Sequence, residues 1–124
     1  KNIKLFCSGI SAGINADRIL VREMIDNLLQ NAIRYNKENG TVKVHVTIEN
    51  GHPMISVEDT GIGIPADQLD RVFERFYRVD KSRSRETGST GLGLAIVKHI
   101  AELHSAEIAI HSIVDEGTEI VVRF

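Results

Sequence analysis

Cysteine is almost missing from this chain: Cys7 is the only one among 124 residues. Neither a disulfide framework nor a cysteine-based metal site can form within it, which fits a reducing compartment. The lone thiol reads as a buried residue of a first short strand. Also missing is any apolar run near the roughly 20 residues needed to span a bilayer, and no signal-peptide pattern is visible, so a soluble piece is expected. A strong charge of one sign is lacking too. The formal net charge of −2 argues against a general nucleic-acid or anionic-membrane surface. There is no low-complexity tail and no internal repeat. The start at Lys1, without methionine, reads as that of an excised fragment.

What is present describes an ordinary globular chain, 42% hydrophobic and 26% charged. Its length predicts one domain that buries roughly two-thirds of its unfolded surface without staples. One local patch departs from the near-neutral balance. Between Arg71 and Arg85 six basic residues stand against Glu74 and Asp80, a local charge of +4, where an anion would go.

The organising stretch is Asp26 to Asn36, DNLLQNAIRYN. At about 100° per residue, Asn27, Asn31 and Arg34 share an arc of roughly 60°, while Val21, Ile25, Leu28, Leu29 and Ala32 cover another face. Carboxamide oxygens can ligate a hard cation and a guanidinium can clamp phosphate. Taken alone, three such residues are also what a solvated helix face looks like.

In chain order, Ile3–Ser8 reads as a strand, Asp17 as a helix N-cap or first-turn acid, and the helix is predicted to run to about Tyr35 with stop signals from Asn36 to Gly40. Thr41–Glu49 alternates strictly, with Val42, Val44, Val46 and Ile48 on one face. Asn50-Gly51 is the favoured type I′ hairpin turn, and Met54–Asp59 the return strand. Asp59 has the parity of Ile55 and Val57; if theirs is the core side, a carboxylate points inward, costing several kcal/mol unless something hydrogen-bonds it. Gly61 and Gly63 permit close backbone approach. Leu69, Val72, Phe73 and Phe76 fall at i, i+3, i+4 and i+7, predicting a helix with a core face. Tyr77 to Thr90 is basic and aperiodic, a binding-loop or lid pattern.

Gly88-Ser89-Thr90-Gly91-Leu92-Gly93-Leu94 then feeds a helix carried by Leu92, Ile96, Ile100 and Leu103. Such a turn presents free N–H groups and a positive dipole end, which favour phosphate. It is neither a P-loop nor a dinucleotide fingerprint. Glu107–Ile113 and Thr118–Phe124 read as a strand pair. Of the five histidines, His99 and His104 lie about 140° apart on one helix and do not aim at one ion.

The order of these features closely resembles the catalytic ATP-binding domain of bacterial sensor histidine kinases, in the GHKL superfamily, over almost the whole chain. Asn27 to Tyr35 looks like that family's N box, Asp59 to Ile64 the G1 box, Val72 to Arg78 the F box, and Gly88 to Leu94 the G2 box. The resemblance implies an α+β fold: a two-layer α/β sandwich with a mixed, roughly five-stranded sheet and about three helices on one face. It implies ATP and Mg²⁺ as ligands. Asp59 would accept from the adenine amino group, and Thr118 would touch the adenine edge. Asn31 would ligate Mg²⁺, with Asn27 in the same shell. Tyr35, Gly61, Gly63 and Ile64 would border the nucleotide, and the residues from Gly88 to Leu94, Ser89 and Thr90 included, would hold phosphates. Arg34, where the family more often has lysine, and Arg78, Lys81 and Arg83 would meet phosphate charge. Ser89 and the His104-Ser105-Ala106 run depart from the family's more frequent glycines.

In the superfamily's ATPases a glutamate stands where this chain has Asn27, and a carboxamide cannot serve as a general base. Glu23, one turn earlier, is the only rival base. The resemblance therefore implies transfer of the γ-phosphoryl group to a histidine. None of the five histidines has the acceptor's context, so that histidine is expected on a separate helical dimerisation domain, and the isolated chain is expected not to phosphorylate itself. A response regulator is the further implied partner. The isolated domain is expected to be monomeric, and the full-length protein a membrane-anchored dimer with this domain in the cytoplasm. The alternatives are a GHKL-type ATPase, a serine-directed kinase of the anti-sigma type, or a non-catalytic interaction module.

Overall fold

In the computed structural model, which describes residues 2–77 and 92–124, the first helix begins where its capping residue dictates. Asp17 precedes α1 (Arg18–Arg34), and its Oδ1 accepts the N–H groups of Ile19 and Leu20 at 2.9 and 3.1 Å. These are two of the donors a helix start leaves without a partner. The helix stops at Tyr35, and Asn39 takes the left-handed conformation, φ 60°, in the turn that follows.

Around α1 stand β1 (Lys4–Gly9), β2 (Thr41–Glu49), β3 (His52–Asp59), β4 (Glu107–Ile113) and β5 (Gly117–Arg123), in the spatial order β1-β2-β3-β5-β4. β1 runs parallel to β2, with α1 as the crossover, and every other pairing is antiparallel. Asn50 and Gly51, at φ 52° and 80°, make the β2–β3 turn. The second helix, α2 (Gly93–Leu103), packs against α1. Met24, Leu28 and Ala32 of α1 and Val97, Ile100 and Ala101 of α2 meet Val42, Val57, Ile120 and Val122 of the sheet. The strand register puts these sheet residues on one side, so both helices lie on one face.

Three expectations are corrected. Cys7 is exposed, as is all of β1. An edge strand gains cover only if the helices reach it, and the buried cluster extends no further outward than Val42 of β2. The described residues contain two α-helices instead of about three. After Pro65 the chain makes a 3₁₀ turn at Ala66–Gln68 and goes on in hydrogen-bonded turns, Arg71 N–H to Gln68, Glu74 N–H to Arg71 and Tyr77 N–H to Glu74, each spanning three residues. The left-handed Phe76, φ 65° and 65% exposed, ends the series, and of the expected apolar stripe only Val72 is buried. On α2 the buried stripe is Val97, Ile100 and Ala101, and Leu103 points outward. Leu103 lies about 200° around the helix from Ala101, so both cannot face the core.

Candidate functional site

The helix-facing row at one end of the sheet reads Leu5, Val42, Asp59, Thr118, Ser112 across the five strands. Three of the five are polar, and Asp59 and Thr118 are only 9% and 8% exposed. Asp59 Oδ1 accepts the N–H of Gly61 at 2.8 Å and that of Thr118 at 3.2 Å. Burial pushes the Asp59 carboxyl up to about 6, the two N–H donors work against that rise, and the neighbouring Glu58 charge adds to it. Both amides bind the same oxygen, so the carboxylate is fixed in orientation and Oδ2 is left for another donor.

The turn after Asp59 is tied down on three sides. Ile62 N–H donates to Tyr35 O at 3.1 Å, Asp115 N–H to Ile62 O at 2.8 Å, and Ile64 N–H to Ser112 Oγ at 2.7 Å. A Cβ on Gly61 would fall 2.2 Å from Tyr35 O, and one on Gly63, at φ 71°, 2.2 Å from Ile113 O. The expectation of close backbone approach at these two glycines is met. The first contact joins the turn to the end of the polar-striped helix.

Two polar residues that sequence reasoning did not assign complete this end of the molecule. Ser112 Oγ donates to Gly117 O at 3.0 Å and lies 2.8 Å from Thr118 Oγ1. Its signal was parity: Ser112 follows Ile108 and Ile110 on the inward face of β4, the same cue that singled out Asp59. Asn36, read only as a stop residue, is fully buried. Its Nδ2 donates to Thr41 O at 2.9 Å, and its Oδ1 accepts Lys37 N–H at 2.9 Å and the Thr60 hydroxyl at 3.1 Å. Thr60 Oγ1 in turn accepts Thr41 N–H at 2.9 Å.

On α1, Asn27, Asn31 and Arg34 are all half-buried, with Tyr35 as the C-cap. Asn27 Nδ2 donates to the main-chain oxygen of Glu23 at 2.9 Å, which turns its Oδ1 the other way. A Cβ on Gly93 would lie 3.4 Å from that Oδ1, so the stripe abuts the start of α2. Leu92 caps α2 without a side-chain hydrogen bond, and Gly93 and Leu94 form its first turn. Arg78, Lys81, Arg83, Gly88, Ser89, Thr90 and Gly91 lie outside the described residues, as does most of the expected lid. Among the described residues no group of three or more His, Cys, Asp or Glu is placed to hold a metal ion. The oxygen donor shown beside the start of α2 is the carboxamide of Asn27, a ligand type that suits a hard cation.

Residues 16–124 match the family described as histidine kinase-, DNA gyrase B-, and HSP90-like ATPase. The sensor histidine kinase YkoH of Bacillus subtilis is 40% identical over 111 residues, which are 90% of this chain and 24% of that protein. The chain thus spans about a quarter of that relative's length. Among solved structures, the mycobacterial sensor histidine kinase MprB superposes with a TM-score of 0.85 at 28% identity, over 98% of this chain and 80% of that one. Full-length ShkA in complex with AMPPNP gives a TM-score of 0.81 at 28% identity, over 98% of this chain and 25% of that one.

Proposed function

Because the chain belongs to the histidine kinase-, DNA gyrase B-, and HSP90-like ATPase family, we propose that it is the catalytic ATP-binding domain, residues 1–124, of a longer sensor histidine kinase. It binds Mg-ATP and donates the γ-phosphoryl group to a histidine on a separate helical dimerisation domain, from which a response regulator takes it. The observation that carries the reading is Asp59, a buried carboxylate with one oxygen held by two backbone amides and the other left to meet an amino group. The named sensor kinases and the AMPPNP complex support it.

Asp59 and Thr118 receive the adenine edge, with the glycine turn and Tyr35 beside it. Asn31, with Asn27, supplies carboxamide oxygens to Mg²⁺, and Arg34 meets phosphate. When bound, the metal neutralises phosphate charge and aligns the terminal group. The acceptor imidazole nitrogen forms a bond to the γ-phosphorus as the bond to the bridging oxygen breaks, and ADP leaves with that electron pair.

The chain's own residues favour a protein acceptor over water. Asn27 occupies the position of a hydrolytic base and has no basic site at neutral pH. Glu23 is exposed, and it is its main-chain oxygen that Asn27 engages. The same reading makes this a cytoplasmic domain of a membrane-anchored kinase. No helix among the described residues is long and apolar enough to cross a membrane.

Calorimetry with ATP and Mg²⁺ tests the binding, and γ-labelled ATP tests the transfer. Label is expected on an added phosphoacceptor domain and not on the chain alone. Stable label on the isolated chain, or steady phosphate release abolished by Glu23→Ala, would overturn the proposal in favour of self-phosphorylation or hydrolysis.

A further inference from the structure

We propose that Ser112 is a positioning residue that fixes the proton of the Thr118 hydroxyl and so makes the base-facing edge of the site acceptor-only, selecting a nucleobase that presents an amino group. The inference rests on the nucleotide reading above and goes beyond it by assigning a source of base specificity.

The argument is a count of protons. Ser112 has one hydroxyl hydrogen, and its contact to Gly117 O at 3.0 Å uses it, because a carbonyl oxygen can only accept. Ser112 Oγ also receives Ile64 N–H at 2.7 Å. One lone pair remains, and the contact with Thr118 Oγ1 at 2.8 Å fills it, so Thr118 must be the donor. With its single hydrogen committed, Thr118 Oγ1 offers only lone pairs elsewhere. Directly across the β3–β5 pairing, Asp59 also offers only lone pairs while ionised, with Oδ1 already taken by two amides. Neither residue has a hydrogen to give to a base. An exocyclic amino group finds acceptors there, and a ring carbonyl at the same position finds none, leaving polar groups unpaired.

Ser112 therefore does not touch the base; it acts through Thr118. Without the serine hydroxyl, Thr118 could rotate and donate, and a 6-oxo purine would then be tolerated.

The test is the affinity ratio of ATP to inosine triphosphate, both with Mg²⁺, measured by calorimetry on the intact chain. Wild type is expected to favour ATP. Ser112→Ala is expected to lower the ratio about tenfold, and Ser112→Thr, which keeps the hydroxyl, to restore it. If Ser112→Ala weakens both nucleotides equally and leaves the ratio unchanged, the serine is only structural and the proposal falls. Should Ser112→Ala fail to fold, Thr118→Val, with Ser112 intact, must lower the ratio by a similar factor, and an unchanged ratio overturns the proposal. The parent reading fails differently: wild type takes up neither nucleotide, or Asp59→Asn leaves ATP affinity unaltered, and both ideas are then overturned.

Discussion

Asp59 and Thr118 stand opposite each other across β3 and β5, the Thr118 N–H donates to Asp59 Oδ1 at 3.2 Å, and the Thr118 hydroxyl turns away to Ser112. One residue thus anchors the carboxylate through its backbone and borders the same space with its side chain. The arrangement buries a group that would be better solvated in water, and it holds the group by one oxygen alone.

Replacing that group separates stability from binding. Asp59→Asn removes a buried charge whose carboxyl has risen from 3.8 to about 6, a cost on the order of 3 kcal/mol at about 1.36 kcal/mol per pKa unit. The variant's melting temperature at neutral pH is expected to rise by several degrees. Its ATP affinity is expected to fall at least about tenfold, because an amide N–H₂ then faces the adenine amino group. Thermal denaturation and calorimetry on one preparation check both halves.

The pH dependence follows with opposite signs for the two properties. The folded carboxyl titrates at about 6, above the ordinary value of 3.8, so between these limits the folded state binds more protons than the unfolded one. The contribution of this group to stability therefore falls as pH rises from about 4 to about 6, and is level above that. The proposed adenine contact needs the ionised form, so ATP affinity is expected to hold above pH 6 and to drop below it, approaching tenfold per unit. Asp59→Asn should flatten both profiles between pH 5 and 8.

Asn36→Ala is expected to destabilise the chain by about 2–3 kcal/mol, because it strips partners from Thr41 O, Lys37 N–H and the Thr60 hydroxyl at a fully buried position. A urea midpoint lowered with unchanged slope would show this.

Ser105→Gly should do the reverse. Ser105 sits at φ 53° just past α2, where Ala106 N–H reaches Ala101 O at 2.8 Å and its own N–H reaches Glu102 O at 3.1 Å. This is a Schellman turn with a side chain where glycine fits best. Glycine there is expected to add about 1 kcal/mol and leave nucleotide affinity unchanged, measured by denaturation and calorimetry.

Much of this was legible because single residues carried local physics. Asp17 as a cap, Asn50-Gly51 as a hairpin and the inward parity of Asp59 all survive in three dimensions. Cys7 did not, because the cover over an edge strand depends on how far helices from elsewhere in the chain reach. The stripe from Leu69 to Phe76 misled for a related reason: a spacing of three and four suits a helix, yet tighter turns satisfy it for part of its length, and Phe76 leaves the helical region altogether. Asn36 and Ser112 were missed because their value lies in partners at Thr60 and Ile64, far off in sequence. The sequence-level polar stripe of Asn27, Asn31 and Arg34 does reach the start of α2, as Gly93 beside Asn27 shows.

Four of the five strands form two local hairpins joined by one distant seam, and β1 is added at the edge through α1. β2 pairs with β3 and β4 with β5 through short turns, whereas β3 meets β5 with Asp59 opposite Thr118, 59 residues apart in the chain. Closing that seam costs more loop entropy than forming either hairpin, so it belongs late on the folding route. Asp59 and Thr118, proposed above to receive the base, exist as a pair only once the seam has closed. Bound ATP is accordingly expected to act as a latch on the finished fold. In stopped-flow denaturation it should slow the unfolding arm and leave the refolding arm where it was.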